Sequence, residues 1–261
     1  MIQFRGLLGT LVGRELKARY RGSALGFLWS LLNPLMLLGV YSFVFGYVFV
    51  QGRAEFVSPY ALFLITGLFP WVWVSSSLLE GTVSLTVNAG LIRKAVFPVE
   101  LLPMVSVLAN LVNFLFAVPV IAGALVFGAA TGHDVGGWAA LLLPVIVVLQ
   151  LPLVSGLVLG LAALNVHFKD VRDLLINMLQ LLFFMTPILY PVEWVSIPAL
   201  AAVIRWANPF TPFTLAYQSV LFRGTPPDAA IWLHMAAWSA LAWVLGAGLF
   251  SRLRSSLVEA V

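Results

Sequence analysis

The 261-residue chain carries 14 Lys and Arg against 10 Asp and Glu, is 62% hydrophobic and 9% charged, and has a mean hydropathy of +1.04. A soluble domain carries roughly 25% charged residues, so a water-soluble globular protein is excluded. The absence of cysteine excludes disulfides and thiolate metal sites. The net charge of +4 and pI near 9.7 would suit nucleic acid, but the basic residues lie at the ends of apolar segments, as membrane orientation requires.

In chain order, the first segment, Phe4 to Arg21, places Arg14, Lys17 and Arg21 on one helical stripe. Phe4, Leu8, Leu11, Val12 and Leu16 take the opposite face, which Arg5, Glu15 and Arg19 interrupt; Glu15 and Arg19 are an i,i+4 pair. Residues 1–26 are predicted to be a cytoplasmic interfacial segment with its cations near lipid phosphates. A simple orientation signal is the alternative.

Six long uncharged runs follow, at 22–52, 56–79, 101–133, 135–168, 174–192 and 229–251. A hydrocarbon core of about 30 Å needs roughly 20 apolar residues in a helix. The predicted spans are 27–49, 60–78, 101–127, 139–164, 174–190 and 231–250, the fifth being the shortest. The first is too long for a signal-peptide core and reads as a retained span. Residues 27–251 form one six-helix domain in this reading, and 252–261 a cytoplasmic tail. The fold class is therefore an all-α integral membrane protein. In the third and fourth spans, Pro103, Pro119, Pro144 and Pro152 each remove a backbone donor and predict kinks. Gly156 and Gly160 form a small-xxx-small pair, for packing within the chain or for a dimer contact.

Between spans two and three, Glu80 to Glu100 contains the basic stretch ending in Arg93 and Lys94, with Leu91, Ile92, Val96 and Phe97 close to water. These apolar side chains either sink into the headgroup layer or mark an interaction site. Asn165 to Asp173 alternates charges across a second inner turn, a solvated loop or another partner contact. The outer stretch 191–228 holds two apolar pieces, 198–206 and 212–222, each too short to cross. Prolines punctuate it, and a re-entrant hairpin between spans five and six is predicted.

With the N-terminus inside, the inner segments hold the five basic residues of the first cluster plus Arg93, Lys94, Lys169, Arg172, Arg252 and Arg254. Only Arg53, Arg205 and Arg223 fall outside. The positive-inside rule then places both termini in the cytoplasm, and Trp138, Trp194 and Trp232 fall at outer ends with Trp29 at an inner one. No phosphate-binding G-x-x-x-x-G-K-[ST] loop is present. The predicted spans keep Asp, Glu, Lys and Arg away from their middles, which disfavours an ion-coupled carrier. Three scattered histidines supply neither a catalytic pair nor a metal site, so no enzyme and no metal is expected. Energy has to come from another polypeptide.

The run from Arg14 to Trp29 with Asn33-Pro34, the stretch Gly67-Leu68-Phe69-Pro70-Trp71, Asn165 to Asp173 and Thr186-Pro187-Ile188-Leu189-Tyr190 together resemble the membrane subunit of bacterial ABC-type polysaccharide exporters, which move O-antigen, teichoic acid or capsule chains. The resemblance covers nearly the whole chain and leans toward the O-antigen and teichoic-acid branch. It implies a homodimer in the cytoplasmic (inner) membrane, docked on two copies of a separate ATPase that holds the ATP and Mg, with no cofactor in this chain. It also implies that Arg14, Lys17, Arg19 and Arg21 belong to an interfacial helix and that Asn88, Leu91, Ile92, Arg93 and Lys94 form a coupling helix. The stretch after span five would be an outer gate, and a lipid-linked polysaccharide would thread a channel between subunits. Aromatic rings stack on pyranose faces, so Phe69, Trp71, Trp73, Phe183, Phe184 and Tyr190 are candidate channel-lining residues. Trp71 and Trp73 lie about 200° apart on a helix and share one path only if Pro70 distorts the turn. The alternatives are the same architecture exporting a drug, small lipid or peptide, and a channel or secondary carrier without an ATPase.

Overall fold

The computed structural model describes residues 5–48, 59–94, 98–133 and 135–260. The described residues form helices joined by turns, and five of these helices are long and apolar enough to cross a membrane: Gly26–Gly46, Tyr60–Val87, Leu101–Ala130, Trp138–His167 and Ala229–Arg254. The expected end of the first span at Phe49, together with Arg53, Val96 and Phe97, lies outside the described residues. We number the helices α1 (Arg5–Arg19), α2 (Trp29–Phe43), α3 (Tyr60–Val87), α4 (Ala89–Lys94), α5 (Leu101–Ala130), α6 (Leu143–His167), α7 (Val171–Met185), α8 (Pro198–Ala202), α9 (Thr211–Tyr217) and α10 (Ala229–Ala260).

The centre of the bundle is α3. Its 28 residues are apolar all round, and most of its span is buried, as a helix enclosed on every side requires. α5 and α6 pack along it, and α2, α7 and α9 touch it. Among the helix pairs, α6 and α10 pack most extensively, and glycine is the reason. A Cβ on Gly156 would collide with the backbone of Ala242, and one on Gly246 with the backbone of Gly156. The small-xxx-small pair therefore serves packing within the chain. Lipid gives no hydrophobic drive between helices, so close backbone approach supplies the dispersion contact instead.

Two expectations change. Pro103 and Pro144 fall in the first turns of α5 and α6, where the missing N–H has no intrahelical acceptor anyway. Only Pro119 and Pro152 are interior and delete a helical bond. The fifth span, expected over 174–190, ends as a helix at Met185. Pro187 biases the residue before it toward extended backbone, and Thr186 adopts φ −92°, ψ 135°. The 15 residues of α7 rise about 22 Å at 1.5 Å per residue, less than the hydrocarbon thickness.

Side chains from beyond α7 and from the start of α3 answer for the backbone that helix leaves open. Asn208 donates from Nδ2 to Met185 O (3.3 Å) and to Thr186 Oγ1 (2.9 Å). Gln218 donates to Pro187 O at 2.7 Å, and the Tyr60 hydroxyl to Leu189 O at 2.7 Å. Buried carbonyls away from water cost several kcal/mol each if unpaired, so these side chains are what permits non-helical backbone there. The return arm, α9 with the π-type turn Gln218–Phe222, is almost wholly buried. The outgoing arm, Pro198–Ala207, buries only Ile204.

Candidate functional site: a polar crevice and an unpartnered helix pair

The residues Arg14 to Trp29 are held against α5. Arg19, the last residue of α1, reaches two helices at once: Nη2 lies 2.6 Å from Glu80 Oε2 on α3, and Nη1 donates to Asn110 Oδ1 on α5 at 2.9 Å. Asn110 donates in turn to the same Glu80 oxygen at 2.5 Å. One turn along α5, Asn113 accepts from the Tyr20 hydroxyl at 3.2 Å. A turn further, Phe116 meets Phe27 edge-on at 4.5 Å. Gly22 (φ +78°) and Gly26 (φ +51°) make the corner into α2, a left-handed conformation that β-carbons disfavour.

This differs from the sequence expectation in two respects. Arg14, Lys17 and Arg21 are exposed, as an outward cationic stripe would be, but Arg19 turns inward to the bundle. Glu80 was placed beyond the end of a span closing at 78; α3 instead runs to Val87, which sets Glu80 about two turns inside the helix. The Arg19 guanidinium on α1 and the Asn110 amide on α5 make a carboxylate tolerable there. Arg19, Glu80, Asn110, Asn113, Asn33 and Ser76 contribute to a crevice of about 350 Å³ between α1, α2, α3 and α5, with Phe69 and Trp73 on its walls.

At the end of α3, Asn88 donates back to Ser84 O at 2.8 Å and closes the helix, and α4 follows at once. Ile92 is buried and Leu91 packs against the core. The apolar side of α4 is thus folded onto its own chain. The backbone of α4 carries Arg93 and Lys94 at its end.

The six aromatic candidates separate. Trp73 is 2% exposed, stacks on Phe114 at 5.5 Å and 15°, and donates its indole N–H to Val107 O at 3.4 Å. Its ring and its N–H are thus both engaged within the bundle. Trp71 points elsewhere on α3, meeting Phe210 edge-on at 5.5 Å and Phe183 at 5.8 Å; Pro70 does not bring the two indoles together. Phe69, Trp71 and Phe183 are all buried. Tyr190 is half-buried and donates to Phe184 O at 2.9 Å, while the Phe184 ring is 51% exposed. Gly67 lets Ile188 and Thr214 reach α3, so the Gly67–Trp71 and Thr186–Tyr190 motifs are neighbours in space.

Sequence reasoning missed the other face of α7. That helix buries only Leu175, Leu179 and Phe183. Asp173, Asn177, Gln180 and Phe184, at i, i+4, i+7 and i+11, are all exposed and share one stripe. The signal was two amides inside an apolar run. Beside it stands α2, where Pro34 is the one buried residue and Asn33, Met36, Leu37, Val40 and Phe43 are exposed. Tyr41 of α2 meets Phe183 of α7 at 5.6 Å. The bundle thus carries two adjacent helices whose outer faces are exposed among the described residues. At the opposite end from α4, Glu193 lies 3.8 Å from Arg205 and 3.7 Å from Arg223, exposed contacts that contribute little to stability. Among the described residues no three His, Cys, Asp or Glu side chains come together as metal ligands.

Comparison with known proteins agrees with this architecture. The model of the ABC-2 type transporter family matches residues 6–222. An O-antigen export system permease protein RfbA from Myxococcus xanthus is 37% identical over 261 residues, covering 100% of this chain and 97% of its own length. An RfbA of the same description from Klebsiella pneumoniae is 34% identical over 84% of this chain and 81% of its own. The polysialic acid transport protein KpsM of Escherichia coli is 26% identical over 71% of this chain and 69% of its own. With that match spanning the interfacial segment, the central bundle and the return arm, the chain belongs to the ABC-2 type transporter family of multi-pass membrane proteins.

Proposed function

We propose that the chain is the permease subunit of an ATP-driven exporter of lipid-linked polysaccharide, O-antigen or a similar polymer, in the bacterial cytoplasmic membrane. The observation that carries the conduit is the exposed stripe Asp173, Asn177, Gln180 and Phe184 beside the exposed residues Asn33, Met36, Leu37 and Val40 of α2. Amides facing hydrocarbon are costly, whereas amides alternating with an aromatic ring suit a hydrated sugar chain. A second copy of the chain, placing its own α2 and α7 opposite, would complete the path and bury the exposed residues of both helices. The names of these relatives, one of them matched over its full length, support a polysaccharide cargo over a drug, small lipid or peptide.

Two copies of a separate cytoplasmic ATPase supply the energy in this reading. They bear on α4 through Arg93, Lys94 and the exposed side of the helix, with both termini on the same side. The short α7 and the non-helical Thr186–Tyr190 together take the place of a sixth span, and residues 191–228 form the outer gate. Deleting the gene removes the surface polymer while its lipid-linked precursor accumulates inside. An unchanged surface with an altered export of small molecules would favour the second cargo. The double substitution Arg93→Glu with Lys94→Glu retains the inserted protein but loses the ATPase on purification; normal export by that variant would refute the docking assignment.

A further inference from the structure

The closed triangle of Arg19, Glu80 and Asn110 joins α1 to α3 through side chains, where α1 otherwise packs mainly on α5. α4 follows α3 with Asn88 alone between them, and α3 carries Glu80. Glu80 accepts from Arg19 and from Asn110 on one oxygen, and Arg19 accepts no substitute on its own helix at comparable range, since Glu15 stands at 3.7 Å. Beyond Arg19 the chain passes directly through the Gly22 and Gly26 corner into α2. The second contact, Tyr20 to Asn113, and the third, Phe27 to Phe116, fasten that corner to α5. A continuous path of short contacts therefore runs from α4, up α3, across Glu80 and Arg19, and into the base of α2.

We infer that this triangle is the mechanical tie by which movement at α4 reaches α2: Arg19 is a positioning residue for transport, and α1, α3, α4 and the inner half of α5 move as one body. The inference rests on the exporter reading above. Two features favour a force-bearing role over simple packing. The guanidinium uses separate nitrogens for its two partners, a fork that a single ammonium does not reproduce. The triangle also stands between two crevices, of about 350 and 240 Å³, both of which Glu80 lines, so few other contacts join α1 to α3 at that level.

The test measures polymer exported per ATP hydrolysed by the complete permease–ATPase complex in Arg19→Gln, Glu80→Gln and the charge exchange Arg19→Glu with Glu80→Arg. Each single variant should keep its membrane level and its bound ATPase, continue to hydrolyse ATP, and export about tenfold less polymer per ATP. The exchange should recover most of that loss, which a generic packing defect would not. Wild-type efficiency in both single variants overturns the tie, as does an exchange no better than the singles. Should the single variants fail to assemble, Arg19→Lys keeps the charge but not the fork; wild-type efficiency there overturns the proposal, and a partial loss with an intact complex supports it. Failure of the exporter reading is distinguishable, because the unaltered complex would then show no ATP-dependent polymer export at all.

Discussion

Aromatic rings in a membrane protein serve packing or passage, and the residue that decides is the one behind each ring. Trp73 has Phe114 parallel to it and a carbonyl for its N–H, so every part of the indole is used. Removing it costs on the order of 3–5 kcal/mol, the range for a large aromatic truncated in a core. Phe184 leaves half its surface free, and its loss should not register in stability. Trp73→Ala is therefore expected to lower the unfolding midpoint in detergent sharply, while Phe184→Ala leaves the midpoint in place and reduces polymer export. Equal midpoints for the two variants would remove the distinction. Sequence spacing correctly set Trp71 and Trp73 on different sides of one helix. It could not tell which side was core, because α3 is apolar on every face and the periodic signal disappears when a helix is fully enclosed.

At the level of elements, the charge clusters and long apolar runs made five helices legible, since lipid confines charge to the ends of spans. The ends of the helices were less legible. α3 runs past Leu78 to Val87 because Glu80 finds Arg19 and Asn110, and a paired carboxylate no longer terminates a span. α7 stops at Met185 because of Pro187, but the side chains that tolerate this stop, Asn208 and Gln218, are more than twenty residues away. The α6–α10 contact depends on glycine at Gly156 and Gly246 alike: Gly156 pairs with Gly160, and Gly246 with Ala242, at the same four-residue spacing. Gly246→Leu should abolish accumulation of folded protein, because the obstructing atoms are backbone and do not repack. Gly123→Leu, on an exposed face of α5 with open space around it, is the control and should accumulate normally. Full accumulation of both, read by detergent extraction and gel filtration, would show that the helices do not approach as closely as described.

For the whole molecule, the question is which exposed surfaces meet lipid and which meet water. Exposure alone does not separate them: Val148 on α6 and Val126 on α5 are more open than Phe184 on α7. Polarity does, because an amide facing hydrocarbon lacks the partners that water supplies. The chain has no cysteine, so single cysteines report their own surroundings without background. Asn177→Cys and Gln180→Cys in the assembled complex should react with a charged, membrane-impermeant maleimide when the pathway is open to that side, and ATP turnover should raise the rate. Val148→Cys and Val126→Cys should stay unreactive to it and react only with an apolar reagent. A charged reagent that labels α6 as fast as α7, or that never reaches Asn177→Cys in any state, would place the amide stripe against lipid or protein rather than against a conduit. Labelling at α7 that is protected by the presence of the polymer would go further, since only a chain lying along that stripe shields positions one turn apart together.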